Sequence, residues 1–318
     1  MNTPRDRFIH ALDRKSPLPG RVPHFELVFF LTMEAFGKIH PSQRAYAQWD
    51  QMEEKERRLH RNEMADLYIA TAERYEHSAI FIHPNPGTVE ETLKLIDLIR
   101  DKTGDRYFIM KHGDATFSLP DGTHMADFTY RLADQPEDLL AEAEHMVDSA
   151  VREAEAYERH GGLDGYALCS DYCFNTGPFL SPRLFRRFVT PFLTRLIRAY
   201  RDMGFYVIKH TDGNIMPILD QLVESNPHAL HSIDPMAGVD IAEVKRLVGD
   251  RVCLIGNVDC SMLDSGTAED ITASTRYALR SGMPGGGYIF STSNCVYTGM
   301  PLANYDIMLD VWRKEGNY

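Results

Sequence analysis

Short apolar runs recur along the chain. Each ends in a polar or glycine-containing turn, and most are followed by a longer stretch in which apolar residues return at helical spacing. Residues 21–30 form the first run, with Glu26 inside it, and residues 78–82, 107–111, 165–169, 205–208, 229–233, 251–255 and 287–291 follow. The periodicity predicts helices over 1–15, within 42–75, and over 88–100, 136–160, 182–203, 215–222, 239–247, 268–281 and 301–314, several opened by proline. Residues 116–134 read as an excursion between strand and helix. Eight strands alternating with helices, at roughly 25 to 50 residues per unit, predict an α/β fold of the (β/α)8 TIM-barrel type. No linker or composition break divides 1–318, so one domain with an N-terminal helical extension is expected.

Composition narrows the function classes. The 34 Lys and Arg against 46 Asp and Glu leave a net charge of −12, which argues against a nucleic-acid backbone or an anionic membrane surface as partner. No apolar run approaches the roughly 18 to 20 residues of a spanning helix. Residues 1–21 are too charged for a signal peptide, so a cytoplasmic protein is expected. Five cysteines without a CxxC pair do not make a disulfide framework. Cys169 and Cys253 fall inside apolar runs, whereas Cys173, Cys260 and Cys295 come just after such runs, where a thiolate is useful. A homodimer is among the assemblies the sequence allows.

The chemistry gathers past the strand ends. The segment 205–214 shows the pattern: an apolar run, then His210-Thr-Asp212-Gly-Asn214, then renewed helical spacing. The other runs are followed by His83, by His112 and Asp114, by Asp171, by Asp234, by Asn257 and Asp259, and by Asn294 and Cys295. Barrel enzymes carry their catalytic groups at this edge. A ring of His, Asp and Cys there suits a metal or an acid–base pair, while any one Asp or Asn could equally cap a helix. Glu26, His112, Asp171, His210, Asp234, Asn257 and Asn294 are expected to point into one cavity. Neither a Gly-x-Ser-x-Gly elbow nor a Walker loop occurs.

Several motifs together resemble the uroporphyrinogen decarboxylase superfamily, and within it the corrinoid-linked methyltransferases. They are Asn175-Thr-Gly-Pro-Phe-Leu-Ser-Pro182-Arg-Leu-Phe, His210-Thr-Asp-Gly-Asn214, His231-Ser-Ile-Asp-Pro235, Leu254-Ile-Gly-Asn-Val-Asp259, and Pro284-Gly-Gly-Gly-Tyr288-Ile289 running on to Asn294. The decarboxylases of that superfamily carry an R-x-x-G-R-Y signature and a catalytic Asp after the second strand. This chain has Arg21-Val-Pro-His-Phe-Glu26 and His83-Pro-Asn-Pro-Gly87 instead.

The methyltransferase branch is similar at His210 and Cys295, but Asp212 stands where the branch has a first Cys. The resemblance therefore implies zinc on His210, Asp212 and Cys295, with a second set from a Glu-x14-Glu-x20-His spacing at Glu76, Glu91 and His112. It implies His210, Asp212, Asp171 and Asp234 as catalytic residues, and Glu26, His112, Asn257, Asn294 and Tyr297 as substrate contacts. The reaction implied is methyl transfer from a small O- or N-methylated donor to a separate corrinoid protein, cobalamin entering only through that partner. Phe174, Phe179, Tyr297 and Met300 are the expected rim on which it docks. Decarboxylation of a small carboxylated substrate is the alternative.

Overall fold

The computed structural model describes residues 2–318. Its centre is a curled parallel sheet of seven strands: β1 (Ala79–Ile82), β2 (Phe108–His112), β3 (Gly165–Leu168), β6 (Tyr206–His210), β7 (Ala229–His231), β8 (Cys253–Val258) and β9 (Tyr288–Thr292), hydrogen-bonded in that order. The two remaining strands, β4 (Cys173–Phe174) and β5 (Gly177–Pro178), form a small antiparallel ribbon in the loop after β3. Helices return the chain from each strand to the next, and Leu302–Glu315 follows the last. No helix among the described residues is long and apolar enough to cross a membrane.

Side-chain alternation divides the sheet into two faces. Phe81, Phe108, Met110, Ala167, Ile208, Ala229, Ile255 and Ile289 pack together on the concave face, and the N-terminal helix Pro4–Leu12 adds Phe8 against Phe25 and Phe108. The intervening residues, among them Ile80, Ile109, Leu168, Val207, Leu230 and Leu254, face outward into the larger core under the helices. Both faces are buried, which is why the runs read as continuously apolar.

Two expectations are corrected and a third gains detail. Residues 21–30 are not a regular strand, although they run between the two edges of the sheet. Phe25 N–H donates to the Phe290 carbonyl of β9 at 3.3 Å, and Ser78 N–H, just before β1, donates to the His24 carbonyl at 2.6 Å. Pro23 has no N–H to give, and the Glu26 carboxylate takes the Thr292 N–H, so pairing is reduced to isolated bridges such as His24 with Phe290. The helix expected over 182–203 is two, Pro182–Phe188 and Thr190–Asp202, broken where Pro191 cannot donate. The excursion 116–134 contains the helix Met125–Asp134.

Candidate active site

Among the described residues, one group of three or more His, Cys, Asp and Glu side chains brings its ligand atoms within 4.8 Å of one another: Asp171, His210 and Asp212. Strand parity places His210. It shares the concave face with Ile208 and ends β6, while Lys209 between them points outward. The loops do the rest. Tyr172 N–H donates to Thr211 Oγ1 (3.0 Å), Asn214 N–H to the Phe174 carbonyl (2.9 Å), and Asp212 N–H to Asp171 Oδ1 (2.9 Å). These bonds lace the loop after β3 to the loop after β6 and bring the two carboxylates together.

Gly213 makes the close approach possible. Its φ is +81°, and a Cβ there would lie 2.5 Å from the Cys173 carbonyl oxygen.

His210 Nε2 lies 3.8 Å from Asp171 Oδ1 and 3.7 Å from Asp212 Oδ1. Its side chain is 5% exposed, against 45% for Asp171 and 26% for Asp212, so the cluster opens to solvent on the carboxylate side. Burial pushes the imidazole down to about 3, leaving it neutral. Burial and the nearby Asp171 push the Asp212 carboxyl up to about 7. Asp212 Oδ1 accepts the Ser232 hydroxyl at 2.8 Å, and its Oδ2 accepts the Asn294 amide.

The other expected residues separate into roles. Asn294 orients Asp212 and closes on the Cys295 N–H with its Oδ1 (2.7 Å). Cys295 is not in the cluster, and burial, with Cys260 and Asp212 beside it, pushes its thiol up to about 12. Asp234 has both oxygens on backbone N–H groups, Gly213 at 3.0 Å and Met236 at 2.9 Å, so it holds the turn and caps Pro235–Ala237. Asn257, on the concave face of β8, donates to the Ile233 carbonyl at 2.8 Å. His112 Nε2 sits 2.9 Å from His83 Nε2, with the Phe81 ring packed against both. Tyr297 and Phe174 are exposed, but Met300 is buried and cannot belong to a rim.

Glu26 does not face a substrate. It is 3% exposed, its Oε2 taken by Thr292 N–H, Thr292 Oγ1 and Ser291 Oγ and its Oε1 3.1 Å from His24 Nε2. Glu91 does not meet His112 either; in the first turn of Val89–Thr103 it pairs with Arg61 at 2.8 Å and Lys94 at 3.1 Å. Glu76, at the opposite end of β1, pairs with Arg21 and Arg313. Asp114, also past a strand end, is taken up by the outward Lys209, whose Nζ lies 2.8 Å from it. Asp259 caps Cys260–Ser265.

Two residues escaped the reading of strand ends. His231 ends β7 directly opposite His210, their Nδ1 atoms 2.7 Å apart, and Ser291 is near the end of β9. Both are marked by parity: His231 follows concave Ala229 by two, and Ser291 follows concave Ile289 by two.

The family described as uroporphyrinogen decarboxylase (URO-D) matches residues 64–315. A uroporphyrinogen decarboxylase of Thioalkalivibrio sulfidiphilus is 26% identical over 150 residues, 44% of this chain and 40% of that protein. The methylcobamide:CoM methyltransferase MtaA of Methanosarcina barkeri is 25% identical over 199 residues, 61% of this chain and 56% of that protein. Less than two thirds of either relative is therefore matched. A solved methyltransferase from Methanosarcina mazei shares the fold, with a TM-score of 0.75 and 18% identity over 99% of each chain. The family match covers the curled sheet, the Asp171–His210–Asp212 cluster and the loops that lace it: the chain belongs to the uroporphyrinogen decarboxylase family.

Proposed function

We propose that the protein transfers a methyl group from a small O- or N-methylated donor to the cobalt of a separate corrinoid protein, with zinc held by His210, Asp212 and Asp171. The convergence of these three side chains within 4.8 Å carries the reading. The donor set fits a divalent cation: two carboxylates crowd one neutral imidazole, and burial, with Asp171 beside it, pushes the Asp212 carboxyl up to about 7, a penalty that a bound cation would relieve. Zinc bound there would supply Lewis acidity to the ether or amine heteroatom of the donor.

The chain's own groups do the positioning. Ser232 and Asn294 fix Asp212 from two sides, the Asp212 N–H ties Asp171 to the same turn, and Asp234 holds Gly213 beneath it. Phe174 and Tyr297 stand exposed and offer apolar surface to a docking partner. The methylcobamide in the name of the Methanosarcina barkeri relative supports a corrinoid as methyl carrier. In this reading the segment 21–30 serves as the eighth stave of a closed barrel, supported by its bonds to both sheet edges.

The decarboxylase relatives favour a second reading, decarboxylation of a small carboxylated compound. The cluster opposes it, because a substrate carboxylate would meet two aspartates already crowding each other. The test is methyl transfer from methoxylated aromatics and methylated amines, assayed with zinc-loaded protein and a separately purified corrinoid protein in its cobalt(I) state. Turnover should require the corrinoid and vanish in His210→Gln. Release of carbon dioxide from a carboxylated substrate, or turnover without corrinoid, would overturn the assignment.

A further inference from the structure

Behind His210 a file of buried polar side chains starts on the concave face and passes the β9 edge of the sheet to His24, which packs on Phe290, Tyr305 and Trp312, and to the segment before β1. His210 Nδ1 is 2.7 Å from His231 Nδ1, and His231 Nε2 is 3.4 Å from Ser291 Oγ. Ser291 Oγ is 3.1 Å from Glu26 Oε2, Glu26 Oε1 is 3.1 Å from His24 Nε2, and His24 Nδ1 is 3.1 Å from the Tyr75 carbonyl oxygen. All five side chains are buried. A buried polar file must be matched donor to acceptor along its whole length, so fixing one end orients the rest.

The fixed end is the Tyr75 carbonyl, which only accepts, so His24 Nδ1 carries a proton. His24 Nε2 has Glu26 Oε1 at 3.1 Å as its nearer partner and the Tyr305 hydroxyl at 3.4 Å as the more distant one, and the nearer contact needs one proton, on either atom. A second proton on Glu26 would leave the buried pair with net charge. Glu26 Oε2 is therefore an acceptor, as its bond from Thr292 N–H at 3.1 Å also requires, and the Thr292 hydroxyl, which has one proton and also stands 2.6 Å from the Asn294 carbonyl oxygen, gives it to Oε2. Ser291 gives Oε2 its one hydroxyl proton and accepts from His231 Nε2–H. A neutral His231 then has a bare Nδ1, which accepts from His210 Nδ1–H, and His210 Nε2 keeps its lone pair.

We infer that His231, anchored by Ser291 and Glu26, is a positioning residue that holds His210 as the Nδ1–H tautomer and presents its bare Nε2 to Asp171 and Asp212. The inference deepens the zinc reading and rests on it only for its consequence: a ligand imidazole offers a lone pair and is steered by the acceptor behind it.

The experiment reads ring ¹⁵N shifts of the full-length, metal-free protein by NMR, and Zn²⁺ affinity by chelator competition. Wild type should show proton on His210 Nδ1 and on His231 Nε2. His231→Asn, whose side-chain oxygen replaces the Nδ1 acceptor, should preserve the His210 tautomer and most of the affinity. His231→Leu should give mixed His210 tautomers and lose about 10- to 100-fold in Zn²⁺ affinity. A proton on His210 Nε2 in wild type, or equal affinity for the Asn and Leu variants, would overturn the inference. The wild-type spectrum decides even if His231→Leu fails to fold. Absence of Zn²⁺ binding by a wild type with the expected tautomers would instead remove the zinc reading and leave the file intact.

Discussion

Replacing Glu26 by Gln should stabilise the protein at neutral and alkaline pH, although the residue is fully enclosed. Burial, only partly opposed by the bonds from Thr292 and Ser291, pushes the Glu26 carboxyl from its ordinary 4.5 to about 7. A carboxyl raised in the folded state contributes stability that is fully present below pH 4.5 and is lost as pH rises through about 7. At ~1.4 kcal/mol per pH unit, the loss reaches about 3 kcal/mol above pH 7. Gln keeps the arrangement of the neutral acid, since its N–H can donate to His24 Nε2 and its carbonyl can accept from Ser291 and Thr292, yet it does not titrate.

Urea unfolding of wild type and Glu26→Gln from pH 4 to pH 9 measures the difference directly, and shared titrations cancel in it. The two should be similar near pH 4, and the variant should gain about 3 kcal/mol by pH 8. A variant several kcal/mol less stable than wild type at pH 8, with no pH-dependent difference, would refute the reasoning. It would mean that Glu26 is ionised in the fold and paired with a protonated His24.

Two further substitutions probe what holds the site in place. Asp114→Leu leaves the buried Lys209 ammonium with the Ser170 carbonyl and the Tyr172 ring as its remaining partners, so it should cost about 3–5 kcal/mol by chemical denaturation. Lys209→Met should cost less, because Asp114 keeps donors from Thr116 N–H, Thr116 Oγ1 and Ser170 N–H; the reverse order would refute the account. Gly213→Ala forces a left-handed conformation worth about 1–3 kcal/mol and drives a methyl into the Cys173 carbonyl. It should therefore lower both stability and Zn²⁺ affinity, and an unchanged affinity would show that the turn does not set the Asp171–Asp212 spacing.

The fold was legible wherever local pattern and tertiary placement agree. The seven paired strands lie within two or three residues of the apolar runs, because burial on both faces leaves a signal that needs no partner to be seen. The segment 21–30 has the same apolar character, yet its pairing is decided elsewhere. Thr292 finds its acceptor in a side chain of that segment, and no rule applied to 21–30 alone reveals that Glu26 will supply it. The break at Pro191 was readable in principle, since proline early in a helix is tolerated only where its missing N–H was unsatisfied anyway.

The site shows the same division at finer scale. His210 and Asp212 were visible because two ligating residues follow one strand within one turn. Asp171 was visible only as one of several strand-end aspartates. What singles it out is the backbone lacing of residues 172–174 to 211–214, a contact between loops with no trace in either loop's composition. His231 and Ser291 were within reach by another route. Concave positions near a strand's carboxyl end belong to apolar residues unless a polar group there is satisfied by another, so a His and a Ser in phase with Ala229 and Ile289 already imply partners across the sheet. Parity, applied to polar residues as strictly as to apolar ones, turns Lys209 outward, where Asp114 of the loop after β2 meets it, and turns His210, His231 and Ser291 inward. The candidate chemistry of this protein therefore depends on residues before the strand ends as much as on those after them.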